Sequence, residues 1–513
     1  DQEHLRVVAG VEASSGRLRR WIDAGCRVAA RVGWVAIRGG WSVMKGTNTG
    51  EECTAAAVAE SGSSRVRLVS RYWSRIRNAG IRPVSAASVA VFRMAFGLAI
   101  VVNSALYVPR IVREHHIEPT FHFSYGPIDF LEPLPGLGMY LVYGAMMVTG
   151  VLIAIGRWYR RAAAAFFVLT TYVFLLDATF YQNHEYLISL LAALMVVLPV
   201  NGFWSSDARR GRTPGSSFVP AWVVWILRFQ IGVPYFFGGV AKLNSDWLQG
   251  EPLRTWMAAR TDLEPFHTVL TNSSVIWFMT YGALLFDLLV VPLLLFRKTR
   301  VPAFVAACLF HFINVWLFGL YIFPWLMIAA TLLFFPPDWP LRVLQRLESR
   351  ISAPSTASSD GPLGAVAIRR VSPLVTAFLV VWVAVQLVVP LRHFAIEGRP
   401  SWTEEGHRFA WHMMLRDKAG SARFHLTDGD HTWIVDPADH LTAAQVRELP
   451  WYPEHLVKFA HHLSKVHGGV EVRAETSVSV NGRPAQPIVD PTVDLASVPS
   501  VWWGHAPWIV LLE

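Results

Sequence analysis

Cysteine, lysine and charge in general are scarce in this chain, and each scarcity excludes something. Only three cysteines occur in 513 residues. Cys26 and Cys53 fall in a basic N-terminal stretch and Cys308 inside an apolar run, which leaves neither a disulfide framework nor a zinc-type spacing. Charged residues make up only 16% of the chain against 53% hydrophobic ones, too few for a row of soluble domains. Six lysines stand against forty arginines. An uncommon lysine in an apolar setting therefore stands out.

What is present instead is a series of apolar runs between about residues 84 and 390. A bilayer needs roughly 17–25 residues per crossing. Nine segments meet that length near 84–108, 137–156, 160–180, 184–200, 219–243, 273–296, 301–318, 320–336 and 371–390. The expected fold is a polytopic α-helical membrane protein with a C-terminal α+β domain. Alternate loops carry the arginines: Arg157, Arg160 and Arg161; Arg209, Arg210 and Arg212; Arg297, Lys298 and Arg300; and five more between Arg342 and Arg370. The intervening loops hold only Arg110, Arg113, Arg254 and Arg260. The positive-inside rule then places the basic loops in the cytoplasm and residues 391–513 outside the cell. The net charge of +9 is thus a topology signal and not a nucleic-acid footprint. The arginine-rich, alanine-rich composition points to a bacterial cytoplasmic membrane. No inverted internal repeat of the transporter kind is visible.

Residues 1–83, with fourteen Lys/Arg and seven Asp/Glu, are expected to be a poorly ordered cytoplasmic tail. The 84–390 stretch is the expected transmembrane catalytic domain, with a Ser/Pro-rich linker at 351–363. In 391–513, alternation at 423–427, 432–435 and 469–480 predicts strands, and Asn481-Gly482 predicts a hairpin turn. Residues 441–466 read as helix interrupted near Pro450 and Pro453.

Within the membrane, Lys242 closes the fifth apolar run and is the one lysine placed in a span. A lysine at a span's end can snorkel to water, but Tyr235 lies two helical turns earlier on the same face and favours a polar pocket. A poorly hydrated amine can also lose its proton and act as a base, which arginine cannot. By sequence depth, Arg93, Arg228 and Asp287 form an inner layer, with Arg228 and Asp287 expected as a structural ion pair. Asp177, Asn183, His184, Tyr235 and Lys242 form an outer layer, with His311 and Asn314 nearer mid-depth. A base, two imidazoles and amide donors at one depth indicate chemistry on a lipid-soluble substrate. The histidine pairs His115-His116, His407/His412 and His461-His462 fit no metal-binding helix signature, so no metal is expected.

These residues resemble vitamin K-dependent γ-glutamyl carboxylases, in the family of horizontally transferred transmembrane (HTTM) domain proteins. The resemblance rests on Met139-Tyr-Leu-Val-Tyr143, Tyr172 to Asp177, Asn183-His184 with Tyr186-Leu187, and Gly239-Val-Ala-Lys-Leu-Asn-Ser-Asp-Trp247. It continues through Leu285-Phe-Asp-Leu288, His311-Phe-Ile-Asn314 and Trp411-His-Met-Met414. It implies that Lys242 is the initiating base, that His184 with Asn183 supports the hydroquinone oxygen, and that Tyr235 lines the quinone site. His311 and Asn314 match the family's His-x-x-Asn. Ala241 and His412 depart from it, standing where the family has lysine and aspartate.

The resemblance further implies reduced vitamin K, O2 and CO2 as reactants. Lys242 deprotonates the hydroquinone, and the oxygenated quinone then removes a γ-proton from a peptide glutamate, which takes up CO2 as the quinone leaves as its epoxide. The expected partners are a glutamate-containing secreted or membrane peptide and the lipid bilayer. Two alternatives remain: a quinol oxygenase or epoxidase without carboxylation, and a non-catalytic quinone- or lipid-binding protein. A mere carrier needs the pocket but not a deprotonated amine.

Overall fold

The computed structural model describes residues 79–351 and 371–512, apart from positions 110, 127, 502 and 503. Most of the 1–83 tail and nearly all of the 351–363 linker lie outside the described residues.

Lipid offers a backbone no hydrogen bonds, so apolar runs satisfy their own as helices. The first four are α1 (Ala87–Tyr107), α2 (Gly138–Ile155), α3 (Tyr159–Leu176) and α4 (Asn183–Val197). Then come α5 (Ala221–Ala241), α6 (Ser273–Leu295), α7 (Arg300–Phe318) and α8 (Phe323–Thr331, extended by a 3-10 turn to Phe334). An amphipathic α9 (Trp339–Ile351) and α10 (Pro373–Val388, continuing as 3-10 turns to Ala395) follow. Seven helices among the described residues are long and apolar enough to cross a membrane; α4 and α8 are apolar but shorter. Gly319, at φ +61°, ends α7 and keeps α7 and α8 separate, so the two closely spaced segments do not merge.

Successive helices from α1 to α8 pack against one another. The α1–α2 crossing depends on small residues: a Cβ on Gly97 would lie 2.5 Å from the Gly150 carbonyl oxygen. Outward-facing Phe278, Leu285, Leu374 and Val380 are exposed, as lipid contact requires. The sequence placed residues 84–85 and 219–220 inside spans. They instead form a two-stranded antiparallel ladder, β1 (Pro83–Ser85) with β2 (Phe218–Pro220), at the entrances to α1 and α5.

Beyond α10, β3 (Lys418–Asp428) is the centre of a three-stranded antiparallel sheet between β4 (His431–Val435) and β5 (Glu471–Val480). Alternate residues of β5 are buried, including Val472, Ala474, Val478 and Val480. They share a core with Leu456, Val457, Phe459, Ala460 and Leu463 of α12 (Pro453–Val466), which follows α11 (Ala443–Glu448). Pro450 and Pro453 divide the two helices, as the sequence predicts. Asn481 and Gly482 turn at φ +52° and +74°, but the returning arm pairs only at Gln486.

This domain is fastened to the helix ends below it. Asp246 accepts two hydrogen bonds from Arg483, both 2.7 Å, and one from Asn481 at 2.8 Å. Asp177 accepts from Gln445 at 3.1 Å and meets His122 at 3.3 Å. Trp256 donates to Asp417 at 3.0 Å. Phe123, Tyr125, Phe174 and Ala178 belong to the domain's own apolar core.

Candidate functional site

Lys242 caps the C-terminus of α5, and its Nζ lies 2.7 Å from Asp287 Oδ2 on α6. Both are buried, at 5% and 4% exposure, so the pair is cut off from water. Two glycines make the approach possible. A Cβ on Gly239 would come within 2.7 Å of the Leu288 side chain, and one on Gly238 within 3.1 Å of Met413 Cε. Trp247 lies with its ring centroid 5.0 Å from Lys242 Nζ and donates to the Thr280 carbonyl at 3.0 Å.

The sequence expectation of an Arg228–Asp287 pair is therefore wrong. Arg228 donates instead to the carbonyls of Leu333 (2.8 Å) and Phe335 (3.1 Å), at the end of α8. Arg93 does the same for Ile153 and Ala154 at the end of α2, at 2.7 and 2.8 Å. Both arginines satisfy carbonyls that a helix end leaves free, and their charge suits the negative end of the helix dipole. Depth counting failed because it set every span level. Gly238, three residues before the end of α5, faces Asp287, which is fourteen residues into α6. α6 thus extends ~16 Å beyond the end of α5 at 1.5 Å per residue. The 243–272 segment fills that space, with Trp247, Leu253, Met257 and Leu270 buried there. Lys242 and Asp287 share one level.

Beside this pair, Tyr235 Oη and His311 Nε2 are hydrogen-bonded at 2.7 Å. Phe323 lies between His311 and His184, with ring centroids 6.3 and 5.9 Å away. Phe286, next to Asp287, meets Tyr235 edge-on at 5.8 Å. Contacts between rings thus run in series from Phe286 and Tyr235 through His311 and Phe323 to His184. Asn314 is not drawn into this series: its amide donates to Phe310 one turn back on α7, at 2.9 Å. Asn183 donates to the His412 carbonyl at 3.1 Å and accepts from Tyr181 at 3.1 Å, so it braces a loop.

That loop was the part least visible in sequence. Between Glu404 and Met414, Glu404, Phe409, Trp411 and Met414 all have φ between +55° and +63°. Such conformations are costly for residues with a Cβ and mark a segment held by its surroundings. Trp411 is fully buried among the membrane helices, and its Nε1 has no hydrogen-bond partner. His412, 7% exposed, likewise leaves Nε2 unpartnered. Burial holds the His412 imidazole well below its ordinary value, and nearby positive charge, Lys242 included, acts in the same direction. Two orphaned nitrogens beside a buried lysine are suited to a ligand carrying oxygen acceptors. Among the described residues no group of His, Cys, Asp or Glu is placed to hold a metal.

Residues 81–339 match the HTTM domain, and residues 371–513 match the lumenal domain of vitamin K-dependent gamma-carboxylase. The chain belongs to the γ-carboxylase/HTTM family. The two matches meet the two parts of the fold described above, the second beginning just ahead of α10. No solved structure matches the chain. Membership makes this an integral membrane protein of γ-carboxylase-like function, in a family dependent on vitamin K.

Proposed function

We propose that the protein couples oxidation of a reduced naphthoquinone by O2 to addition of CO2 at peptide glutamate, with Lys242 as the initiating base. The observation that carries this reading is the buried Lys242–Asp287 pair beneath the unpartnered Trp411 and His412 nitrogens. The series of rings from Tyr235 through His311 and Phe323 to His184 suits contact with a flat ring system carrying an oxygen at either end. When bound, the reduced naphthoquinone supplies, with O2, the driving force for removing the γ-proton and leaves as its epoxide.

The chain's own residues do the rest. As the proposed base, unprotonated Lys242 Nζ takes up a proton, and the Asp287 carboxylate, 2.7 Å away, stabilises the ammonium so formed. His184 and the Tyr235–His311 pair orient the ring system, while Asn183 acts indirectly by bracing the loop that carries His412. The fastened C-terminal domain keeps water from the site and brings the peptide from the extracytoplasmic side. A cleft lined by Arg392, Glu405, Arg408 and Phe409 lies on the same loop and is the proposed entry for the peptide.

The test is direct. Purified protein in lipid nanodiscs receives a glutamate peptide, labelled bicarbonate and a reduced naphthoquinone. Label on glutamate together with quinone epoxide supports the proposal. Epoxide without label leaves a quinol epoxidase, and neither product leaves a binding protein.

A further inference from the structure

A second polar space lies among α1, α2, α3 and α4, where the proposed reaction uses nothing. It is a small cleft. Glu185, one residue beyond His184, lines it together with Asn103, Ser104 and Tyr107. Tyr143, Phe166 and Phe174 supply aromatic walls, and Tyr107 and Tyr143 are stacked with centroids 6.4 Å apart.

A carboxyl group and two unpartnered polar atoms meet here. The Tyr107 hydroxyl donates to Glu185, and no basic side chain among the described residues acts on that carboxyl group. Asn103 Oδ1 and Ser104 Oγ have no partner, although Ser104 is only 1% exposed. The Tyr143 hydroxyl is already engaged with His116 Nε2 at 3.2 Å. A carboxylate at membrane depth requires compensation, and unpaired acceptors beside it call for a donor. A bare alkali ion needs a tight shell of oxygens, whereas rings and aliphatic side chains make up most of this lining. A positively charged amine meets both needs: its N–H groups face the acceptors, and its charge faces aromatic rings.

We propose that this cleft binds an organic ammonium group, held by Glu185, Asn103 and Ser104 against the Tyr107 and Tyr143 rings. The amine belongs either to a soluble molecule or to a lipid headgroup, and the experiment separates the two. Full-length protein in phosphatidylglycerol nanodiscs is melted in the presence of ethanolamine, choline, NaCl or KCl at matched ionic strength. Ethanolamine is expected to raise the melting temperature saturably, whereas choline, which has no N–H to donate, and the alkali salts are not. Glu185→Gln, nearly the same shape, should abolish the response, whereas Lys242→Ala should retain it, which separates this site from the proposed reaction. If phosphatidylethanolamine discs start at the raised temperature and ignore free ethanolamine, the ligand is a headgroup; a persisting response identifies a soluble amine. Equal shifts with NaCl, no saturable shift in the parent, or an unchanged response in Glu185→Gln would overturn the proposal. The comparison of cations needs only the parent protein, so it stands even where a variant folds poorly.

Discussion

Replacing Asp287 by asparagine removes the one carboxylate paired with Lys242 and leaves the amine with a neutral amide. Lys242 is 5% exposed and has, besides Asp287 at 2.7 Å, the Gly238 carbonyl at 3.4 Å and the Trp247 ring nearby, neither of which carries a compensating charge. Removing one partner of a buried ion pair costs about 3–5 kcal/mol, because the remaining charge is uncompensated. Replacing both partners by apolar residues of similar volume is often close to neutral. Asp287→Asn and Lys242→Met should therefore each lower thermal stability in detergent, while Lys242→Met/Asp287→Leu should regain most of the loss. All three should be inactive in epoxide formation. Arg228→Ala should also destabilise, by about 2–3 kcal/mol for lost charged hydrogen bonds, but additively with Asp287→Asn. Strong coupling between Arg228 and Asp287, or none between Lys242 and Asp287, would refute the assignment of partners.

Other expectations follow from the domain above the membrane. Asp246→Asn removes the carboxylate that Arg483 grips through two bonds, and limited proteolysis should then cut more readily near Gly482. His407, His412 and His455 are each held well below their ordinary values, mainly by burial. Unfolded, they take up protons near pH 6.5 while the folded protein does not, so stability falls as pH drops below about 6.5, at up to ~1.4 kcal/mol per pH unit for each. Glu448, pushed up to about 7 by burial, opposes one of the three between 4.5 and 7. Net, melting temperature should be lower at pH 5 than at pH 7. For topology, a cysteine at exposed Asp430, with the native cysteines replaced by serine, should react with an impermeant reagent in intact cells. The Asn481-Gly482 turn is a poor labelling site because it is tucked against Asp246; reaction at position 430 only after permeabilisation would invert the topology.

The sequence showed the helical membrane architecture because lipid makes apolar length nearly decisive, and it showed the sheet because β5 alternates strictly. It could not show the stagger between α5 and α6, which depends on where Gly238 and Gly239 allow contact. That stagger made Asp287 the partner of Lys242 and left Arg228 to cap α8. The Trp411–His412 loop was equally hidden, since its left-handed backbone is fixed by Asn183 and Tyr181 far away in the chain. Glu185 was visible beside His184, but its separate cleft depended on four helices closing around it.

The central claim is that Lys242 starts the reaction as a base that can lose its proton. Quinone epoxide formation by Lys242→Ala and Lys242→Arg, compared with the parent in identical nanodiscs, tests it most directly. The account predicts no epoxide from either variant while both still insert and melt cooperatively, arginine failing because it stays protonated. Near-normal epoxide formation by either variant would contradict it.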